Sequence, residues 1–248
     1  MIPTLPDPLA VGNYQFWVTA AQYIDNHINK YYVETAMYIK NIILNMNDPW
    51  FWVYFCSMVR SDIDTSDLKS KILQTHSNHY IIALAAFDKT IDLNIIEDYL
   101  LKQRPHNVNI SAIFNYINRV PMGDIDKFIK YCIEYKSARL ACFLLKSKKI
   151  NKDSPAFQDI KSIIIKSKKS RYLYELAKHI PPEENEAIQQ MVMLNKSDMY
   201  VRLYATNIPE ADVHKLERRI IETDDLKKIE TFADKVPRSN LKRLKSLF

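Results

Sequence analysis

Three stretches toward the C-terminal end of the chain align with one another without a gap. Arg171–Glu183, Met199–Ala211 and Lys227–Ser239 each carry an alanine (Ala177, Ala205, Ala233) and then a proline (Pro181, Pro209, Pro237), recurring every 28 residues. A fixed internal period of this length is the signature of a repeat architecture, in which each unit is too small to bury its apolar face alone. An apolar residue stands directly before each proline: Ile180, Ile208 and Val236. Steps of 28–30 residues toward the N terminus reach Ile150, Val120, Ile91 and Ile63, which makes seven anchors. Seven residues before them stand Cys56, Leu84, Ile113, Phe143, Leu173, Val201 and Ile229, all apolar. Four before them, only Lys146 breaks the apolar series.

Offsets of this kind trace one face of a helix. A second apolar face opens after the corner, as at Val213, Leu216 and Ile220. Proline suits the corner because it turns the preceding residue away from helix and is well placed to open the next one. The expected fold is all-α: an α-solenoid of about seven helix-turn-helix repeats of 28–30 residues, continuous over residues 56–248. Composition agrees. Gly12 and Gly123 are the only glycines, too few for an all-β fold, a P-loop or a dinucleotide-binding turn.

Residues 1–55 differ from the rest. They hold all three tryptophans, Trp17, Trp50 and Trp52, and read as a helical cap, with helices over Asn13–Asn29 and Tyr31–Met46 and Pro49 ending the second. The tryptophans are also candidates for a partner-binding surface, since such rings dominate interface energetics. At the other end Leu241, Leu244 and Phe248 form an apolar face that either docks on the stack or self-associates.

The segments Leu176–Met191, Tyr204–Ile220 and Phe232–Leu247 share an aromatic or apolar residue followed by alanine and a short corner with a β-branched residue, and in the last two a lysine- and leucine-bearing helix follows. In this they resemble the tandem short helical-hairpin repeat proteins of large DNA viruses and bacteriophages. The usual corner glycine of that family is replaced here by proline or a polar residue. The resemblance implies a virus-encoded scaffold or interaction protein in the host cytosol or virion, with a protein partner, no cofactor and no catalytic residues.

Charge is uneven. Residues 130–178 carry 13 basic and 4 acidic side chains. Lys146, Lys148, Lys149 and Lys152 surround one corner, and Lys166, Lys168, Lys169 and Arg171 surround the next link. Brought onto one edge, they would form a stripe for a phosphate backbone or an acidic partner; otherwise they keep a helical stack soluble. Few aromatics interleave, which argues against base stacking and for nonspecific nucleic-acid contact at most. His76 and His79 lack further ligands for a metal. Asp62, Asp64 and Asp67 read as helix-start carboxylates rather than a calcium loop. Cys56, Cys132 and Cys142 read as packed, reduced thiols, which suits a cytoplasmic compartment. No run is long and apolar enough for a membrane span, so neither a membrane association nor an enzyme is expected.

Overall fold

The computed structural model describes residues 32–59, 62–102, 109–195 and 197–241. Among them are fourteen α-helices, one short 3-10 turn and no strand. The chain divides into two compact units, Met1–Asp124 and Ile125–Phe248, inside the stretch expected to be one continuous domain. None of the described helices is long and apolar enough to cross a membrane.

The first unit contains α1 (Tyr32–Asn45), α2 (Pro49–Met58), α3 (Ser66–Gln74), α4 (Asn78–Phe87), α5 (Leu93–Leu101) and α6 (Ile110–Arg119). Helix α2 packs on α4 and α4 on α6, while α3 and α5 each pack beside α4. The second unit contains α7 (Ile125–Glu134), α8 (Ala138–Lys146), α9 (Pro155–Ser167), α10 (Ser170–Ala177), α11 (Asn185–Leu194), α12 (Asp198–Asn207), α13 (Val213–Ile221) and α14 (Leu226–Lys235). Here α8, α10, α12 and α14 pack in succession, with α7, α9, α11 and α13 filling in between them.

Helix starts follow from local chemistry. The Asp48 side chain accepts from the Trp50 N–H at 3.0 Å and Pro49 is the first helical residue of α2. Pro49 therefore opens a helix rather than ending one, and the boundary drawn at residue 55 runs through α2. Ser154 with Pro155 opens α9 in the same way. Proline is tolerated there because its missing N–H would have had no intrahelical partner. The N-caps of α2, α4, α6, α8, α10, α12 and α14 are Asp48, Ser77, Asn109, Ser137, Lys169, Ser197 and Asp225, at intervals of 29, 32, 28, 32, 28 and 28 residues. One of the longer intervals contains α9, which has 13 residues against 9 or 10 in α5 and α7.

The anchors Val120, Ile208 and Val236 are helix C-caps whose N–H groups donate to Tyr116, Tyr204 and Phe232 carbonyls. The anchors Ile63, Ile91 and Ile150 are not. Val59, Asp88 and Ser147 take that place, so Cys56, Leu84 and Phe143 are not equivalent to Ile113, Val201 and Ile229. The cause is visible in α4: Ile81 to Ala85 are all buried, so no single stripe marks its register.

Each described corner after α6, α12 and α14 is held by a buried side chain five residues past the N-cap of a preceding helix. Glu97 of α5 accepts from the Tyr116 hydroxyl and the Asp124 N–H, both at 2.8 Å. Gln189 accepts from the Asp212 N–H at 2.9 Å and donates to its carbonyl at 3.1 Å. Glu217 of α13 accepts from the Ser239 hydroxyl at 2.7 Å and the Asn240 N–H at 2.5 Å. Corner N–H groups that would otherwise be orphaned in the interior are thereby satisfied.

Candidate functional site

Of the three tryptophans, Trp17 lies outside the described residues. Trp52 is 6% exposed and its indole donates to the Ile43 carbonyl at 2.9 Å. It is a core residue tying α2 to α1, which removes it from the candidate partner surface. A buried Trp needs such an acceptor for its N–H. Trp50, two residues earlier on the helix, is half-buried on another face. Its ring meets His79 edge-on at 4.9 Å and Tyr80 at 5.4 Å, with Tyr54 at 5.8 Å. Helices α2 and α4 thus bring four rings together at the surface, with His79 exposed. A cavity of about 160 Å³ adjoins them, lined by Asn78, His79, Asn115 and Arg119 among others. The tryptophan was a sequence candidate; His79 and Tyr80 come to it only through the packing of α4 on α2.

The eight basic candidates are exposed and fall into two groups. Lys146 ends α8, and Lys148, Lys149 and Lys152 lie in the link to α9. Lys166, Lys168, Lys169 and Arg171 lie where α9 ends and α10 begins. The whole of α9 stands between the two groups, about 18–20 Å at a rise of about 1.5 Å per residue.

Several of these lysines also have local roles. Lys148 and Lys168 adopt left-handed backbone, φ 57° and 54°, as do His76, Lys136 and Asp224. Helices commonly end on such a residue, usually glycine. In a chain with two glycines, lysine and other polar residues fill the place, and a cation there also faces the negative end of the helix dipole. Lys146 pairs with Glu175 at 3.3 Å, and Lys178 lies 3.5 Å from the same carboxylate and 4.1 Å from the Tyr174 ring centre. Lys169 lies over Tyr172 at 5.8 Å. His179 sits at this corner. Burial first, and then the charges of Lys152, Lys178 and Lys148, hold its imidazole below the usual histidine range, while Glu175 opposes them.

The three cysteines are buried, and burial pushes each thiol up to about 12. A thiol this far from its thiolate is neither a nucleophile nor a ready metal ligand. Among the described residues no group of three histidines, cysteines or carboxylates could hold a metal ion. His76 stacks on Tyr99 at 6.4 Å, away from the His79 cluster. Asp64 accepts from the Ser66 N–H at 2.9 Å, a bond that holds its carboxyl below the usual range, and Asp67 pairs with buried Lys40 at 3.0 Å. Both therefore serve the start of α3. Leu241 is buried, while Leu244 and Phe248 lie outside the described residues.

Comparison of the chain with protein-family models, with curated proteins and with solved structures finds no match.

Proposed function

We propose that the chain is a non-catalytic protein–protein interaction scaffold, its helix pairs stacked as an α-solenoid of about seven repeats. The recurring N-caps and the buried corner clamps support the stacked reading: each clamp belongs to one helix pair and satisfies the corner of the next. The observation that carries the interaction reading is the cluster of Trp50, Tyr54, His79 and Tyr80 at the surface of α2 and α4. Rings held rigid against one another present large contact area at little entropic cost, and such residues anchor interfaces. The motif resemblance of the three C-terminal segments supports a virus- or phage-encoded origin, and the buried thiols support action in a reducing compartment such as the host cytosol. Affinity purification from the native cell, with and without nuclease, tests the reading. A partner that survives nuclease and is lost with Trp50→Ala supports it. Partners that vanish on digestion, or that Trp50→Ala leaves in place, overturn it.

A second reading, nucleic-acid binding through the lysine-rich edge around residues 146–171, is supported by the exposure of its eight basic side chains. Retention on DNA that falls steeply with salt and is lost on neutralising Lys148 and Lys152 would favour it.

A further inference from the structure

Within the second unit, α7, α9, α11 and α13 are not joined alike. Helices α7 and α9 pack directly on one another, whereas α11 and α13 are held together by polar struts. Gln189 bridges to the backbone of Asp212, Lys215 reaches Glu186 at 2.9 Å, and the Arg219 Nε donates to the Met193 carbonyl at 3.3 Å. Between the struts lies an open groove of about 910 Å³. Its α11 wall carries Met193 and Leu194, and its α13 wall carries Lys215, Arg218, Arg219 and Glu222.

We propose that this groove docks a helical segment of a protein partner that places carboxylates beside an apolar side chain. The inference names one partner class for the scaffold reading above and rests on it. Leu194 is 79% exposed, while the leucines of the helices around it, such as Leu173, Leu176 and Leu216, are fully buried. A leucine held out at the lip of a groove supplies an apolar contact that water does not reward. The opposite wall supplies the charge. Lys215 already faces Glu186 and Asp212. Among the described residues, Arg218 meets no carboxylate, and Arg219 is fixed through its Nε on the Met193 carbonyl. Two guanidinium groups on adjacent positions of one helix, against the single carboxylate of Glu222, leave the wall cationic. Planar guanidinium forks suit carboxylates in bidentate geometry.

Nucleic acid fits this groove less well. No aromatic ring lines it for a base to stack on, and stacking is what holds single strands in such channels. Glu222 repels a phosphate backbone running along α13. An amphipathic helix laid into a groove, by contrast, matches an apolar lip facing a cationic wall.

The test uses the purified full chain and a fluorescent amphipathic helical peptide with glutamates on one face and leucines on the other. Saturable binding is expected, weakened about tenfold, or roughly 1.4 kcal/mol, by Arg218→Glu and by Leu194→Ser separately. A peptide with glutamine in place of glutamate should bind correspondingly more weakly. Both altered side chains are exposed, so the variants keep the circular dichroism of the parent. Lys130→Glu, an exposed change on α7 outside the groove, controls for net charge. The proposal is overturned if the acidic peptide does not bind. It also fails if Lys130→Glu weakens binding as much as Arg218→Glu, or if a single-stranded oligonucleotide displaces the peptide at equal concentration. Failure here leaves the Trp50-dependent partner standing, whereas failure at Trp50 leaves peptide binding to the groove measurable.

Discussion

Tyr116 and Tyr204 occupy the same place in different units, each seven residues after its helix N-cap and each fully buried. Each phenol donates to a residue nineteen positions back. Burial holds both phenols above the usual tyrosine range, with the Glu97 hydrogen bond next for Tyr116, so both keep their protons. The acceptors differ. Tyr116 meets the Glu97 carboxylate, whereas Tyr204 meets the carbonyl and side chain of Asn185 at 3.0 and 3.1 Å. In the first unit one carboxylate takes both the phenol and the corner N–H of Asp124. In the second the two tasks are divided between Asn185 and Gln189. A third corner shows why the hydroxyl matters. Phe232 stands at the tyrosine position, and the hydroxyl that Glu217 needs comes from Ser239 instead. A buried carboxylate at this position thus takes a hydroxyl as well as a backbone N–H, while a neutral amide manages with the backbone alone.

The largest predicted effect separates the shared carboxylate from the divided arrangement. Glu97→Ala leaves a buried phenol and a corner N–H without their acceptor. It is expected to cost about 3 kcal/mol, against about 1.5 kcal/mol for Gln189→Ala, which strands backbone groups only. Urea unfolding of both variants measures the difference. Equal losses would show that the corner N–H carries the energy in both units and that the phenol adds nothing.

The next effect concerns space rather than charge. Gly123, Ala211 and Ser239 are equivalent: each donates its N–H to the anchor carbonyl three residues back. At Gly123 an added Cβ would lie 2.7 Å from a ring carbon of Tyr116. That ring is fully buried and its hydroxyl is tied to Glu97, so it has no free way to retreat. Ala211 carries a buried methyl at the equivalent position, where the Tyr204 hydroxyl is drawn to a different acceptor, Asn185. Gly123→Ala is therefore expected to cost about 2 kcal/mol through overpacking. The reverse change, Ala211→Gly, should cost only about 0.5–1 kcal/mol through chain entropy. Thermal melts of the pair decide it. A neutral Gly123→Ala would mean that the ring shifts without losing its bond.

How much of this was legible in the sequence varies along the chain with the local physics. The corners at Pro209 and Pro237 were readable because α12 and α14 end directly before a buried anchor at a constant interval. At α4 the residues Ile81 to Ala85 are buried all round, so periodicity carries no register, and the anchor assigned to Ile91 falls past the true helix end at Asp88. Trp50 and Trp52 have the same composition signal and opposite fates, because two residues along a helix turn a side chain through more than half a circle. The clamps formed by Glu97 and Glu217 were invisible. A glutamate in an amphipathic helix reads as solvent-facing until its partners, nineteen or more residues away, fold over it. Lysine density is plain in the sequence, but density along a chain does not say that the cations flank α9, one group at each end.

The smallest effect extends the comparison to charge. The corners clamped by Glu97 and Glu217 each bury a carboxylate, whereas the corner at half-buried His179 gathers cations. Protonating His179 adds a positive charge where burial, and then Lys152, Lys178 and Lys148, disfavour it. Its folded-state pKa therefore lies below that of the unfolded chain, near 6.5 for about any unperturbed histidine. Across the interval between the two values the folded state binds fewer protons, so stability is whole above the unfolded value and is lost as pH falls beneath it. The loss stops growing once pH passes the folded value. His179→Gln should remove this part of the acid-side slope, and Lys152→Gln should move the imidazole back toward its ordinary value in an NMR titration. An imidazole that titrates at the unperturbed value in the native protein, unmoved by Lys152→Gln, would mean that solvent screens the corner and that its lysines stand apart from the ring.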